Sequence, residues 1–352
     1  MERPCVEPSE LKHERVKPVS ARELRLVLAL TVLIAVSANV FAGLVLDRRP
    51  ANLGYELAKM KWGRLLALQQ PVDWLVLGDS SGNQGVDPRV LATHLGGHAI
   101  NLATIADMTA VNDVWMLDEY LRRFGPPRGV ILVHVYDMWG RSILDQMVAE
   151  IPLPWGYWRR LEPRLPVGIA RSGRLAALRY VPLYSRQDSL LALLRGTADD
   201  IFPPFTDDGF MQVRRPSPRR VDADAREHLT FTRQPERIMS DDNRRALAAI
   251  GALSDHYGFE VFLASSPLYD RLYGDAVFRH YYDDVGERLR AWTRQSPHRH
   301  YVFTEPMLFS RDVMQNADHV TTAGAARYSD ALATTIGAIE RHDHLSSAID
   351  AE

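Results

Sequence analysis

The chain has 352 residues, of which 46% are hydrophobic and 24% charged, enough for one large domain or two smaller ones. A formal net charge of −2, without a long basic run or a basic-aromatic patch, argues against nucleic-acid binding. The single cysteine, Cys5, excludes an internal disulfide and a cysteine-based zinc motif.

An uncharged apolar stretch, LVLALTVLIAVSANVFAGLVL, occupies residues 26–46. At about 1.5 Å per residue it reaches roughly 30 Å, the thickness of a bilayer's hydrocarbon core. The preceding basic residues favour a cytoplasmic tail over residues 1–25 and a translocated remainder, although four basic residues also follow the stretch. A cleaved signal peptide, cut near Val40–Ala42, and a buried soluble helix are the alternatives. The long leader and an apolar surface on every side favour an uncleaved transmembrane anchor.

A juxtamembrane linker with one helix is predicted over residues 47–70, followed by a domain over 71–342 and a tail over 343–352. Within the domain, buried strands alternate with helices, one of which starts at Asp87 and Pro88. The predicted strands are Asp73–Leu77, His98–Leu102, Gly129–Val135, Glu260–Ala264 and His300–Thr304. This alternation predicts an α/β fold with a mainly parallel, doubly wound five-stranded sheet.

The alternation is interrupted by an insertion at about 139–237, which is rich in proline and aromatic residues. Some helix is expected near Gly173–Leu194, and the polar stretch RRPSPRRVDADAREH is expected to be a solvated loop. Its aromatic residues could line a sugar groove or simply pack the insertion.

The first strand ends in the turn Gly78-Asp79-Ser80-Ser81-Gly82. Ligands of doubly wound sheets bind beyond the carboxyl ends of the strands, so Ser80 stands where a reactive hydroxyl is useful. A serine nucleophile needs a base within hydrogen-bond reach. The best candidate is His319, which lies in the loop before the last helix and is expected at the same edge. The alternative is that Ser80 only caps the next helix and that His319 has no partner.

The segments VLGDSSGNQGVDP, INLATIADMT and DHVTTAGAARYSDAL resemble the SGNH/GDSL hydrolase superfamily, and in particular membrane-anchored bacterial members tied to polysaccharide or envelope acylation. The resemblance covers roughly Asp73–Val135 and Asp241–Glu340. It implies a flavodoxin-like three-layer α/β/α fold and ester hydrolysis or acyl transfer through a serine. It also implies that Ser80 is the nucleophile, with a share in the oxyanion hole, and that His319 is the base.

Several positions depart from the superfamily pattern. The acid expected three residues before the histidine is Asn316 here, and Asp318 is adjacent to the histidine instead. Asp318 could orient the ring only in a bent loop, and otherwise Asn316 takes that role. Asn101 could donate an oxyanion hydrogen bond, whereas Asp137 replaces an expected asparagine and cannot donate unless protonated. Asp79 is expected to hydrogen-bond the backbone of its own turn. The alternative is that Asp79 and Asp137 are orienting residues or lie at the rim of the site.

These observations together predict a single-pass protein of a bacterial inner membrane, with a periplasmic or extracellular SGNH-like serine esterase or O-acyltransferase domain. The expected substrate is an acylated cell-surface polysaccharide. No cofactor or metal is expected, and the resemblance implies an acyl-donating membrane partner. One alternative is a degenerate scaffold or glycan-binding protein of a polysaccharide assembly complex. Another is a phosphate or nucleotide binder, but the sequence contains no phosphate-cradling motif.

Overall fold

The computed structural model describes residues 20–49, 51–197, 203–233 and 238–349, of which the side chains at 231 and 343–349 are not described. Most of the predicted cytoplasmic tail, with Cys5, and the end of the predicted C-terminal tail lie outside these residues. The chain divides into two units, one ending at residue 49 and the other beginning at residue 50.

The first unit contains one long helix, α1 (Ala21–Arg48), which begins with Ser20 and Glu23 in a capping box. Its length and apolar composition are sufficient to cross a membrane, and a signal sequence near the N-terminus would have the same properties. The helix contains the whole of the predicted span and extends it at both ends. It therefore agrees with the predicted membrane segment.

The second unit is built on a five-stranded parallel sheet in the order β2-β1-β3-β4-β6. The sheet strands are β1 (Trp74–Gly78), β2 (Ala99–Asn101), β3 (Gly129–His134), β4 (Glu260–Ser265) and β6 (Arg299–Tyr301). Two short strands, β5 (Leu268–Tyr269) and β7 (Leu308–Phe309), pair with each other beyond it. The predicted α/β class and parallel sheet are confirmed, and the order is that of flavodoxin-like sheets.

Helices cover both faces of the sheet. The helices in the described part of the second unit are α2 (Leu53–Ala67), α3 (Ser80–Gly85), α4 (Pro88–Leu95), α5 (Thr109–Phe124), α6 (Asp145–Glu150), α7 (Ile169–Tyr180), α8 (Pro182–Ser185), α9 (Gln187–Arg195), α10 (Pro218–Phe231), α11 (Asp241–Tyr257), α12 (Asp270–Gly274), α13 (Ala276–Thr293) and α14 (Thr322–Ile349). Strands β2 and β3 flank β1, so the right-handed crossovers through α4 and α5 lie on opposite faces. Helix α4 packs against α14, and α5 packs against α11.

Double coverage explains the composition of the central strands. Every residue of β1 and of β3 is buried, because each side chain meets a helix on one face or the other. Their carboxyl ends lie side by side, with Gly78 paired with Val133, at the edge where the sequence placed the candidate site.

The insertion contains more regular structure than its composition suggested. Helices α7, α8 and α9 occupy the part where helix was expected. The prediction of a solvated loop for the stretch RRPSPRRVDADAREH is wrong, because residues 218–231 form α10. Pro218 opens the helix, and Val221 is fully buried while Ala225 and Leu229 pack on the core at four-residue spacing.

The single helix expected in the linker is α2, and it lies inside the second unit. Leu57, Trp62 and Leu65 are buried in the core, and the Trp62 indole donates to the Asn112 side chain at 2.9 Å. Helix α2 is therefore a folded part of the domain that begins a few residues after α1.

Candidate functional site

The turn after β1 depends on two glycines that approach the neighbouring strand closely. Gly78 has a φ of +139°, and a Cβ there would lie 2.0 Å from the carbonyl oxygen of Val133. At Gly82 a Cβ would lie 2.9 Å from the same oxygen. The turn can therefore pass against β3 only with glycine at these positions. Ser80 is the first residue of the short helix that follows.

Asp79 fixes this turn from inside the domain. One carboxylate oxygen accepts from the Ser81 amide at 2.9 Å, and the other accepts from the Val135 amide at 2.8 Å. Asp79 is fully buried and does not line the cavity described below. Its contacts are those of the expected turn-stabilising residue.

Ser80 and His319, which are far apart in the sequence, line the same cavity of about 560 Å³. Asn316, Asp318 and Asp137 line it too. A second cavity of about 450 Å³ is also lined by Ser80, Asn316 and His319. The serine and the histidine therefore have space on two sides.

The loop before α14 bends sharply enough to bring neighbouring side chains onto one ring. Met314 and Val320 form an isolated antiparallel bridge, and the Gln315 amide donates to the His319 carbonyl at 2.8 Å. Within this bend, His319 Nδ1 lies 2.6 Å from Asp318 Oδ1 and 2.7 Å from Asn316 Oδ1. The two sequence alternatives for the orienting group are thus both in contact with the ring.

The charge of Asp318 sets the protonation of this loop. Burial alone would lower the pKa of His319, but the adjacent Asp318 carboxylate outweighs burial and the pKa is raised. Burial alone would raise the pKa of Asp318, yet His319 and then His228 hold it well below its usual range. Asp318 therefore remains a carboxylate beside the histidine across the neutral pH range.

Asn101 is placed away from the cavity and cannot serve as the predicted oxyanion donor in this structure. Its side chain is fully buried, and its amide nitrogen donates to the carbonyls of Gly82 and Val86 at 2.9 and 2.8 Å. Its side-chain oxygen accepts from the Ala103 amide at 3.0 Å. Both amide hydrogens are therefore used to hold the helix that carries Ser80.

Asp137 lies on the cavity wall in an ion pair. Its Oδ2 is 2.5 Å from Arg141 Nη2, and the same guanidinium reaches Asp107 at 3.1 Å. Burial raises the pKa of Asp137 despite the opposing effect of Arg141. Its other oxygen, Oδ1, is buried without a hydrogen-bond partner among the described residues.

The insertion contributes a second histidine–carboxylate pair that sequence reasoning missed. Asp224 and His228, four residues apart on α10, line the cavity, with Asp224 Oδ2 at 3.4 Å from His228 Nε2. The Tyr136 hydroxyl contacts the other ring nitrogen, Nδ1. Burial lowers the pKa of His228, but Asp224 and Asp318 outweigh it and raise the pKa to about 9. The i, i+4 spacing in DADAREH was the available signal.

Asp224, His228 and Asp318 also present ligand-type atoms within 4.8 Å of one another, the spacing of a metal site. Each is already engaged: Asp318 binds His319, Asp224 accepts from the Ala317 amide at 2.9 Å, and His228 contacts Tyr136. We interpret the three groups as an ion-pair network and assign no metal to them.

A further missed pair lies behind the turn. His134 Nε2 is 2.7 Å from Asp113 Oδ2, and His134 Nδ1 is 3.4 Å from Asp79 Oδ2. All three side chains are buried. Burial lowers the pKa of His134, but Asp113 and then Asp79 outweigh it and raise the pKa to about 9. A histidine inside an apolar strand gave no indication of these partners.

No family model and no curated protein matches the chain. Among solved structures, it is similar to a provisionally assigned platelet activating factor from Streptococcus pneumonia, with 12% identity and a TM-score of 0.37 over 85% of this chain and 98% of that one. It is also similar to a carbohydrate esterase family 2 enzyme with a carbohydrate-binding domain from Corynascus thermopiles (Myceliophthora fergusii), with 12% identity and a TM-score of 0.36 over 78% and 68%. At these values the likenesses carry no argument about the site.

Proposed function

We propose that the domain is an SGNH-like serine esterase or O-acyltransferase that acts on an acylated polysaccharide of the cell envelope. The observation that carries this proposal is the convergence of Ser80 and His319 on one cavity, with His319 Nδ1 held by Asp318 and Asn316. A hydroxyl, an imidazole and a carboxylate in that relation are the parts of a serine nucleophile with its base and orienting acid.

The chemistry follows from the tautomer that this loop selects. When Nδ1–H donates to Asp318 and Asn316, Nε2 of the neutral ring is left as the proton acceptor. Nε2 takes the Ser80 hydroxyl proton as Oγ attacks the ester carbonyl. The ester C–O bond then breaks, and the leaving oxygen receives that proton. Water or a sugar hydroxyl, deprotonated by the same nitrogen, attacks the acyl-serine and regenerates Ser80 as the acyl group departs.

The oxyanion would be stabilised by backbone groups, because Asn101 is already used. Ser80 occupies the first position of a helix, where amide hydrogens have no partner within the helix. Ala106, at the start of a short 3-10 helix, lines the same cavity. It has no polar side chain, so its backbone amide is the group that could donate to the oxyanion. Backbone amides aimed at the developing charge are a usual form of oxyanion hole.

A membrane-linked substrate is supported by the residues at the cavity wall. Asn52, Gly54 and Tyr55, at the start of α2, line the cavity, and α1 ends only a few residues earlier. If α1 is inserted in a membrane, only a few residues of chain separate these cavity-lining residues from the point where the chain leaves the membrane. Space on both sides of the serine would accommodate an acyl group and a sugar hydroxyl.

The proposal is tested by treating the full-length protein in detergent with a fluorophosphonate probe and mapping the labelled peptide. We expect labelling of wild type at Ser80, none in Ser80→Ala, and strongly reduced labelling in His319→Ala. Ser81→Ala is the matched control, because Ser81 is buried in the same turn and does not line the cavity. Envelope polysaccharide from a strain carrying Ser80→Ala should show altered acylation. Absence of Ser80-dependent labelling together with unchanged acylation would contradict the proposal.

A second function, a catalytically degenerate scaffold or glycan-binding protein, is favoured by one observation. The Asn101 amide is fully used by backbone carbonyls, and Asp137 is paired with Arg141. For this alternative, the Ser80→Ala protein would retain full function in the strain while the purified protein binds the polysaccharide.

A further inference from the structure

Exposed apolar side chains are concentrated in one part of the insertion. Among the described residues of the second unit, twelve large hydrophobic side chains are exposed, and eight of them lie between residues 155 and 194. They are Trp155, Ile169, Tyr180, Val181, Leu183, Tyr184, Leu191 and Leu194. Clusters of this kind mark interaction surfaces more often than scattered single residues do.

The helical spacing places these residues on defined faces. Ile169 and Tyr180 are eleven residues apart on α7, or three turns, and so share a face. Leu191 and Leu194 are three residues apart on α9. Ile169 is 94% exposed and Leu194 is 82% exposed. Each helix therefore turns an apolar edge outward, and the other side of α7 packs on the domain through Leu175 and Leu178.

The same segment is basic although the chain as a whole is not. Residues 151–195 contain eight arginines and two acidic residues, whereas the full chain has 42 basic and 44 acidic residues. Asp145 and Glu150 of α6 pair with Arg171, Arg174 and Arg186. Arg174 and Arg195, on α7 and α9, are nevertheless exposed. Amphipathic helices that combine arginine with exposed leucine, tyrosine and tryptophan are suited to the interface of an anionic bilayer.

The position of this surface in the domain supports the same partner. The Arg186 guanidinium, between α8 and α9, lies 5.8 Å from the Tyr55 ring, in the first turn of α2. Arg186 also pairs with Glu150, which is 4.0 Å from Lys59 of α2. The chain from Arg48 to Leu53 can extend at most roughly 18 Å. A membrane-inserted α1 would thus tether the start of α2 to the bilayer through a connection of at most that length.

We propose that α7, α8 and α9 form a membrane-contact surface that lies on an anionic lipid bilayer, with Ile169 and Leu194 entering the interface and the exposed Arg174 and Arg195 facing the lipid phosphates. This inference depends on insertion of α1 and not on the proposed chemistry at Ser80. A protein partner and a second copy of the chain are the competing occupants of the surface.

The test uses the full-length Cys5→Ser protein reconstituted in nanodiscs of phosphatidylcholine with and without phosphatidylglycerol. A single cysteine is introduced by Ile169→Cys or Leu194→Cys and labelled with an environment-sensitive fluorophore. Val277→Cys on α13, at a residue that is 51% exposed, is the matched control. Lipids that carry a spin label at a shallow depth in the bilayer should quench the fluorophores at positions 169 and 194 several-fold more than the fluorophore at position 277. Quenching should increase with phosphatidylglycerol and decrease with salt.

Charge variants keep the inference testable if one labelled protein folds poorly. Arg174→Glu with Arg195→Glu should weaken lipid quenching at position 169, whereas Arg294→Glu, at the end of α13, should leave it unchanged. Equal lipid quenching at 169, 194 and 277 would overturn the proposal. So would labels that are shielded from aqueous quenchers without lipid quenching, because that outcome indicates a protein partner or a second copy.

Discussion

Replacement of Asp318 by asparagine separates the two groups that hold His319. The carboxylate of Asp318 is 2.6 Å from His319 Nδ1, and the neutral amide oxygen of Asn316 is 2.7 Å from the same atom. Of these two groups only Asp318 is charged, and it raises the pKa of His319 more than the carboxylates of Asp79 and Asp224 do. Asp318→Asn removes the charge and keeps the shape, whereas Asn316→Ala removes only a neutral acceptor.

The expected magnitudes follow from the kind of hydrogen bond that is lost. A hydrogen bond to a charged group contributes about 1.5–3 kcal/mol, and a neutral one about 0.5–1.5 kcal/mol. At about 1.4 kcal/mol per factor of ten, Asp318→Asn should lower kcat/KM by roughly 10- to 150-fold and Asn316→Ala by roughly 2- to 13-fold.

The assay is hydrolysis of an activated aryl acetate across pH, with both variants compared with wild type. His319 must be neutral to act as a base, so the acidic limb of kcat/KM reports its pKa. Since Asp318 raises this pKa, Asp318→Asn should move the acidic limb to lower pH, and Asn316→Ala should leave it almost in place. An unchanged limb in Asp318→Asn, together with a larger rate loss in Asn316→Ala, would refute the assignment of Asp318 as the charged orienting group.

Three further predictions concern the turn and its support. His134→Gln leaves the buried carboxylate of Asp113 without its partner and should cost about 3–5 kcal/mol in the free energy of unfolding, measured with urea. In wild type the folded-state pKa of His134 is raised to about 9. Its contribution to the free energy of unfolding should therefore be fully present below pH 6.5 and be lost as pH rises through 9. A contribution that grows over this pH range would contradict the pairing. Gly78→Ala places a Cβ 2.0 Å from the Val133 carbonyl oxygen and should prevent folding or lower Tm sharply. Gly125→Ala is the control, because Gly125 also has a positive φ, +79°, but has open space around its Cβ position, so this variant should lower Tm far less. Equal decreases in Tm for the two variants would contradict the packing argument. The buried Lys61 ammonium donates to the backbone carbonyls of Asn101 and Gly209 at 2.8 and 2.6 Å. Lys61→Met leaves both carbonyls without this donor and should lower the free energy of unfolding by about 1–3 kcal/mol, measured by thermal unfolding. An unchanged Tm would contradict a stabilising role for Lys61.

The sheet could be predicted because its determinants are local. The central strands are short apolar runs bounded by turn residues, and their alternation with helices fixes parallel pairing. Parallel pairing places all carboxyl ends on one edge, so a residue after β1 was expected there without knowledge of any contact. The positions of Ser80 and His319 on one cavity follow from the same topology.

The parts that sequence reasoning missed depend on contacts between distant segments. Asn101 has the side chain of an oxyanion donor, but its partners are set by how α3 packs on β2, which no local pattern reports. The sequence predicts a loop where α10 lies, because the charged residues of this helix obscure the four-residue spacing of its few apolar ones. Its Asp224 and His228 reach the cavity only because the insertion folds back over the sheet edge. The burial of His134 with Asp113 likewise joins β3 to α5.

The central claim is that Ser80 and His319 act as nucleophile and base. The most direct measurement is a crystal structure of the protein after reaction with a phosphonate ester probe. The account predicts a covalent bond from Ser80 Oγ to phosphorus, with His319 Nε2 within hydrogen-bond distance of that oxygen and Nδ1 still held by Asp318. Modification of a different residue, or a His319 ring turned away from the adduct, would contradict it.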